Sequence, residues 1–280
     1  MGYHKLDEIA ILYSNCVNKA VVMTSKLYRA FLSDRFFTTR EALVLIPNKA
    51  TCMNTLKQLA SSRQVVRVRK GLYEVVPQEH IDGQKPAADK FLLARKITDP
   101  YCLAYHSALE LHGAANTATY NTVDLASPRQ FRSFSYERVH YKWILRRELT
   151  GTERTIWSNS QLTVTDREKT ILDCIDRIDL AGGVEEVFKS LVSMKNINFR
   201  RLYDYATRER KKVLFHKLGF FLSRNEIRES WHLDDKKLDS IRANLSSKVY
   251  YFLTEKGSGK LERQWNLIVP VDLEETLRFA

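Results

Sequence analysis

Cysteine is scarce in this chain: four thiols, Cys16, Cys52, Cys102 and Cys174, are spread over 280 residues. No C-x-x-C pair and no neighbouring histidine set accompanies them, which excludes the close ligand pairs of structural zinc and leaves reduced, buried thiols as the expectation. Long apolar runs are missing too. Nothing approaches the roughly 18 residues of a membrane-spanning helix. The opening Met1-Gly2-Tyr3-His4-Lys5-Leu6-Asp7-Glu8 has two early acids and no apolar core, so no signal peptide is expected. Leu6 stands where a myristoylation motif needs Ser or Thr. The chain therefore reads as cytoplasmic, without a membrane partner. Glycine (10) and proline (6) are too few for a collagen-like repeat, and an apolar share of 44% excludes a disordered chain.

Catalytic signatures are also lacking. There is no G-x-S-x-G, no H-E-x-x-H and no G-x-x-x-x-G-K-[ST]. Gly257-Ser258-Gly259-Lys260 is too short for a phosphate loop, and Leu261 replaces its hydroxyl residue. His106 and His112 are six apart, which does not place both on one helix face. Glu209-x-Lys211 has a nuclease-like spacing but lies in a charged helical stretch. No catalytic residue, cofactor or metal is expected.

Acid is the charge in short supply: 33 Asp and Glu against 45 Lys and Arg give a net charge of +12. The shortage is local. From Lys49 to Tyr73 there are Lys49, Lys57, Arg63, Arg67, Arg69 and Lys70 and no acid. Basic stretches at 129–147 and 200–217 are interrupted by acids, as solvated faces usually are.

The acid-free stretch coincides with a pattern of elements. Leu27, Ala30 and Phe31 fall at helical spacing within 26–34. Thr38-Thr39-Arg40-Glu41 has the form of a capping box. The apolar run 42–46 reads as a buried helix stopped by Pro47, and Asn48 can cap a further helix over 49–61. On that helix Met53, Leu56, Leu59 and Ala60 group on one side, and Thr51, Asn54, Thr55 and Gln58 on the other. A merely solvated face in so charged a chain would carry Glu and Lys. Thr, Asn and Gln suit base edges and phosphates. Next, 65–69 alternates as a strand, Lys70-Gly71 suits a tight hairpin turn, and 72–76 returns. Helix, capped helix, turn, polar-faced helix and basic hairpin together spell a winged helix-turn-helix. Its DNA-contacting candidates are Lys49, Thr51, Asn54, Thr55, Lys57, Gln58, Arg67, Arg69 and Lys70, the helix facing bases and the hairpin facing phosphates.

Gln78 to Lys90 is polar with Gly and Pro and reads as a linker. Beyond it, 101–113 looks helical, strands are expected near 122–126, 139–144 and 161–164, and a helix near 165–173. Gly182-Gly183 breaks the chain before a helix at 184–192, helices dominate to about 242, and a last strand falls at 265–270. The expected class is α+β, divided into an N-terminal helical extension (1–24), the winged helix-turn-helix (25–78), a connecting segment (79–98) and a mixed α+β domain with additional helices (99–280).

Four segments carry a family resemblance: 67–73 (Arg-Val-Arg-Lys-Gly-Leu-Tyr), 106–113 (His-Ser-Ala-Leu-Glu-Leu-His-Gly), 164–173 (Val-Thr-Asp-Arg-Glu-Lys-Thr-Ile-Leu-Asp) and 180–187 (Leu-Ala-Gly-Gly-Val-Glu-Glu-Val). Over roughly 25–275 the chain resembles the AbiEi-family antitoxins of abortive-infection toxin–antitoxin systems. It departs from them at Lys169, where the family's usual Glu-Arg-Thr reads Glu-Lys-Thr, and in having 1–24 before the usual start. The resemblance implies a winged helix that binds double-stranded operator DNA, an inverted repeat, and represses its own operon. It also implies a carboxy-terminal domain that counters a nucleotidyltransferase-like toxin. Ser107, Asp166, Arg167, Thr170 and Asp173 are the partner candidates. The dense polar group at 166–173 has two readings, a helix-capping network or contact with a partner or nucleotide. The alternative for the whole chain is an enzyme, toxin-modifying or nuclease, whose winged helix only targets it.

Overall fold

A computed structural model describes residues 24, 26–81, 83, 87–117, 120–253 and 257–278, and the chain divides between Asp99 and Pro100 into two compact units. Cys16 and nearly all of the expected N-terminal extension lie outside the described residues. The protein is mixed α+β.

The first unit is organised around an aromatic stack. Residues 26–31 are helical (α1) and bury Leu27, Tyr28 and Phe31. Phe31 stacks on Phe37 at 4.4 Å, and Phe37 on Tyr73 at 5.5 Å. Phe37 belongs to a strand, β1 (Phe36–Thr38), that had no evident signal in three residues. Helix α2 (Thr39–Leu45) starts at the capping box: the Thr38 hydroxyl accepts the Glu41 amide, and the Glu41 carboxylate accepts the Thr38 amide at 2.7 Å. This helix is less buried than its apolar run suggests. Only Ala42 and the capping Ile46 are covered, and Val44 is 76% exposed. Asn48 caps α3 (Lys49–Ser61) by accepting the Thr51 amide.

Strands β2 (Val65–Arg69) and β3 (Leu72–Val75) form the hairpin, and the sheet order is β1-β3-β2, antiparallel throughout. Gly71 takes φ +80 in the turn, and its carbonyl accepts the Thr39 amide, tying the hairpin to the start of α2. Beneath the sheet, the fully buried carboxylate of Glu74 pairs with Arg35 Nε at 3.0 Å. The expected linker is partly structured. Asp89 caps α4 (Lys90–Ala94), whose Phe91, Leu92, Leu93 and Ala94 are all buried, so 90–94 belongs to the body of this unit.

The second unit holds a six-stranded mixed sheet, order β6-β7-β5-β4-β9-β8, from β4 (Cys102–Leu103), β5 (Thr122–Ser127), β6 (Phe134–Tyr136), β7 (Val139–Leu145), β8 (Thr152–Trp157) and β9 (Ser160–Thr165). The segment expected as one helix over 101–113 splits into β4 and α5 (His106–Leu111). Cys102 and Leu103 pair with β5 on one side, and Leu103 pairs with Val164 of β9 on the other, which holds them extended. Helices α6 (Arg167–Asp176), α7 (Val184–Ser193), α8 (Phe199–Arg208), α9 (Lys212–Leu222), α10 (Asn225–Trp231) and α11 (Asp235–Arg242) supply most of an apolar core that includes Leu172, Leu202, Leu218 and Phe221. A small sheet of β10 (Tyr250–Tyr251), β11 (Lys260–Glu262) and β12 (Leu267–Val269), followed by α12 (Leu273–Arg278), completes it. Cys52, Cys102 and Cys174 are free and buried. Among the described residues no helix is long and apolar enough to cross a membrane.

Candidate functional sites

The first candidate is the outward side of α3. Cys52, Thr55, Leu56 and Leu59 are buried at i, i+3, i+4 and i+7, so the opposite side presents Asn54, Lys57 and Gln58 to solvent, while Lys49, in line with Cys52 and Leu56, is exposed because it begins the helix. Thr55 is a correction to the sequence reading. It is 3% exposed, and its hydroxyl donates to the Thr51 carbonyl at 2.9 Å. With the hydroxyl satisfied inside its own helix, the methyl packs as a small hydrophobe, and Thr55 cannot reach a ligand on the polar side. Thr51 is half-buried, and its hydroxyl donates to the capping Asn48 at 3.1 Å. Ala60, expected on the core side, is exposed.

The hairpin also differs from simple alternation. Arg67 pairs with Tyr73 and Arg69 with Leu72, so Val68 is an extra residue and the register shifts there. The two arginines consequently have different surroundings. Arg67 is exposed. Arg69 is half-buried, its guanidinium donates to the Ile97 carbonyl at 2.9 Å, and burial pulls its pKa below the ordinary range. Lys70 is exposed at the turn.

The second candidate lies in the second unit, where segments far apart in sequence converge on α6. Asp166 caps that helix by accepting the Lys169 amide at 2.8 Å, and its other oxygen accepts the Tyr205 hydroxyl of α8 at 2.7 Å. Burial, with Asp166 next, raises the Tyr205 pKa to about 12. Thr170 is fully buried and shares a 2.7 Å hydrogen bond with Thr165. Asp173 faces two cations, Lys169 Nζ at 2.6 Å and Arg146 Nη2 at 2.8 Å, and Lys169 reaches Glu209 at 2.5 Å. Burial opposes ionisation of Glu209, but its hydrogen bond with Lys169 prevails and lowers its pKa.

Of the partner candidates, Arg167 alone is exposed. Ser107 is fully buried and accepts the Asp124 amide at 3.1 Å. Ser107 and Thr170 are thus out of reach of a protein partner. Asp166 is both cap and buried anchor, so the capping network is present and its surroundings form a larger site. The residues that sequence reasoning passed over there are Tyr105, Arg146 and Tyr205. Arg146 had one signal, its membership of a basic stretch; the tyrosines had none.

Tyr105, Arg146, Lys169, Asp173, Tyr205 and Glu209 help wall a cavity of about 610 Å³, and of the partner candidates only Asp173 lines it. Tyr105, at the junction of β4 and α5, adopts φ +54 and ψ −132, a backbone region sparsely used by bulky residues, and Arg146 sits 6.0 Å from its ring. Gly151, φ +64, ends the loop that follows Arg146. A Cβ there would lie 3.0 Å from Lys169 and 3.1 Å from Tyr205, so a side chain would push into the site.

Glu209 and Lys211 have different partners: Glu209 accepts from Lys169, and Lys211 turns to Asp176 at 2.6 Å. His112 bonds the Thr165 carbonyl at 2.7 Å, whereas His106 faces Glu110 at 3.2 Å. Among the described residues no group of three His, Cys, Asp or Glu side chains is placed to hold a metal.

No family model and no curated protein matches the chain. Among solved structures it is similar to the RV2827C protein of Mycobacterium tuberculosis, at 14% identity and a TM-score of 0.65, over 92% of this chain and 94% of that one. At that identity the likeness is one of fold.

Proposed function

We propose that the chain is a sequence-specific repressor that binds duplex DNA through a winged helix-turn-helix built from 26–76, and that it serves as the AbiEi-like antitoxin of its own operon. The observation that carries the DNA-binding part is the outward side of α3. It offers Asn54, Lys57 and Gln58 with no acid, with Lys49 exposed at the helix start, beside a hairpin that exposes Arg67 and Lys70. At 13 residues α3 is about 20 Å long, enough to lie in a major groove. Asn54 and Gln58 are one turn apart and both can form paired hydrogen bonds with adenine. Lys49, Lys57, Arg67 and Lys70 then neutralise phosphates, supplying affinity that is insensitive to sequence. The order of helices and antiparallel strands, the capping box and the α2–α3 turn at Pro47-Asn48 support the same reading.

The antitoxin part is supported by the four segments that resemble the AbiEi family. Its partner would be a nucleotidyltransferase-like toxin, met at exposed residues such as Arg167 and not at buried Ser107 or Thr170. Fluorescence anisotropy of the full chain on duplexes from upstream of its own gene tests the repressor reading. Saturable binding to one duplex, at least a hundredfold tighter than to a scrambled one, is the expected result; equal affinity for both refutes sequence-specific repression. Co-expression with a nucleotidyltransferase-like toxin tests the second role, through rescue of growth.

A further inference from the structure

The cavity beside α6 is a built site that DNA binding by the first unit does not use. Its walls carry six cationic side chains, Arg146, Arg147, Lys169, Arg177, Arg208 and Lys211, against four carboxylates. The carboxylates are largely committed. Asp173 is shared by Lys169 and Arg146, Glu209 is on Lys169, and Asp176 is on Lys211. Arg147 and Arg208 are exposed and have no ion-pair partner among the described residues. Deeper in, Arg146 Nη1 is buried and makes no hydrogen bond, and Asp173 Oδ2, ion-paired with Arg146 Nη2, makes none either. A buried donor without an acceptor is rare, because water's hydrogen bonds have been given up for nothing. Tyr105 holds an uncommon backbone conformation at this place, and Gly151 keeps the wall clear of a side chain.

We infer that this cavity binds a phosphorylated small molecule of nucleotide size. Arg146 would donate to one anionic group from within, and Arg147 and Arg208 would hold others at the mouth. A volume of about 610 Å³ lies within the usual range of small-ligand pockets. Phosphate fits better than a single carboxylate because several guanidinium groups converge, and planar donor forks match phosphoryl oxygens. The neutral Arg146–Lys169–Asp173–Glu209 group keeps those side chains in place before the ligand arrives, so little ordering is required on binding.

The test is isothermal titration calorimetry of the full chain with inorganic pyrophosphate, ATP and, as a polycarboxylate comparator, citrate at matched ionic strength. Saturable binding of pyrophosphate or ATP with a micromolar dissociation constant is expected, at least tenfold tighter than citrate. The exposed double variant Arg147→Ala/Arg208→Ala should weaken it at least tenfold without loss of folding. Lys57→Ala/Lys70→Ala, on the first unit, should leave it unchanged. No saturable binding of either phosphate probe, equal binding of citrate, or undiminished binding by the Arg147/Arg208 variant would each overturn the inference. A loss confined to the Lys57/Lys70 variant would do so too, by locating the phosphate on the DNA-facing surface.

Discussion

Asp173 holds two cations at once: Oδ1 lies 2.6 Å from Lys169 Nζ and Oδ2 lies 2.8 Å from Arg146 Nη2. All three side chains are largely buried, so the carboxylate is the counter-charge that permits both cations to remain there. Removing one partner of a buried ion pair strands the other in a poorly solvated place. Asp173→Ala is therefore expected to lower stability by about 3 kcal/mol or more, read as a shift in the urea midpoint. A loss below about 1 kcal/mol would mean that Glu209 alone can carry Lys169, and that Arg146 finds water.

Thr55 and Asn54 are adjacent in sequence and opposite in consequence. Thr55→Val keeps the shape and the buried methyl, and should change affinity for operator DNA less than twofold. Asn54→Ala should instead relax discrimination at one base pair, reducing the ratio of matched to mismatched affinity about tenfold, in line with the loss of one bidentate base contact. Identical losses on matched and mismatched duplexes would remove Asn54 from base reading.

Lys70 and Arg69 should separate in the same way. Lys70→Ala is expected to weaken binding to every duplex alike. Arg69→Ala breaks the bond to the Ile97 carbonyl and should lower stability by about 1 kcal/mol, allowing for its partial exposure. Its effect on DNA affinity should be the smaller of the two. If Lys49, Lys57, Arg67 and Lys70 each cover one phosphate, log K should fall against log salt with a slope of roughly −4, measured between 50 and 200 mM as about four released counterions.

Asp124, in the middle of β5, is fully buried, and neither carboxylate oxygen has a hydrogen-bond partner. Burial pushes its pKa up to about 7, against the opposing pull of Lys142 and His106. The folded carboxyl therefore keeps a proton between about pH 4 and pH 7 that the unfolded chain has released. Protonation of the folded state adds stability at low pH, and this contribution is lost as pH rises through that window. Asp124→Asn abolishes the effect. The variant's stability relative to the parent should rise from near zero at pH 4 to about 4 kcal/mol at pH 8. Measuring the difference removes the contribution of His112, whose pKa burial lowers and which acts in the opposite sense. A difference independent of pH would show that Asp124 is ionised in the fold throughout.

The elements most legible in the sequence are those defined by local chemistry. The Thr38/Glu41 box, the Asn48 and Asp166 caps and the Gly71 turn each satisfy backbone groups within a few residues, and all are present. The phase of α3 is less legible, because Thr is polar by type yet apolar by one methyl, which lets Thr55 join Cys52, Leu56 and Leu59 on the buried side. Strands β6 and β8 gave little signal because each ends the six-stranded sheet, where polar residues are tolerated and strict alternation is relaxed. Helix α4 was hidden behind a polar approach, although Phe91, Leu92 and Leu93 carry the apolar content that buries it.

Charge distribution, the capped helices and the acid-free stretch from Lys49 to Tyr73 are properties of the chain as written, since they depend on neighbours a few residues away. Which cation would meet which carboxylate is another matter. Arg146, Lys169, Asp173, Tyr205 and Glu209 come from a strand end and two helices, and only the packing of α6 and α8 beside the sheet brings them around one cavity. Long-range pairing of buried charges has no local energetic signature. It arises where folding removes water from several of them together, leaving one another as the available partners.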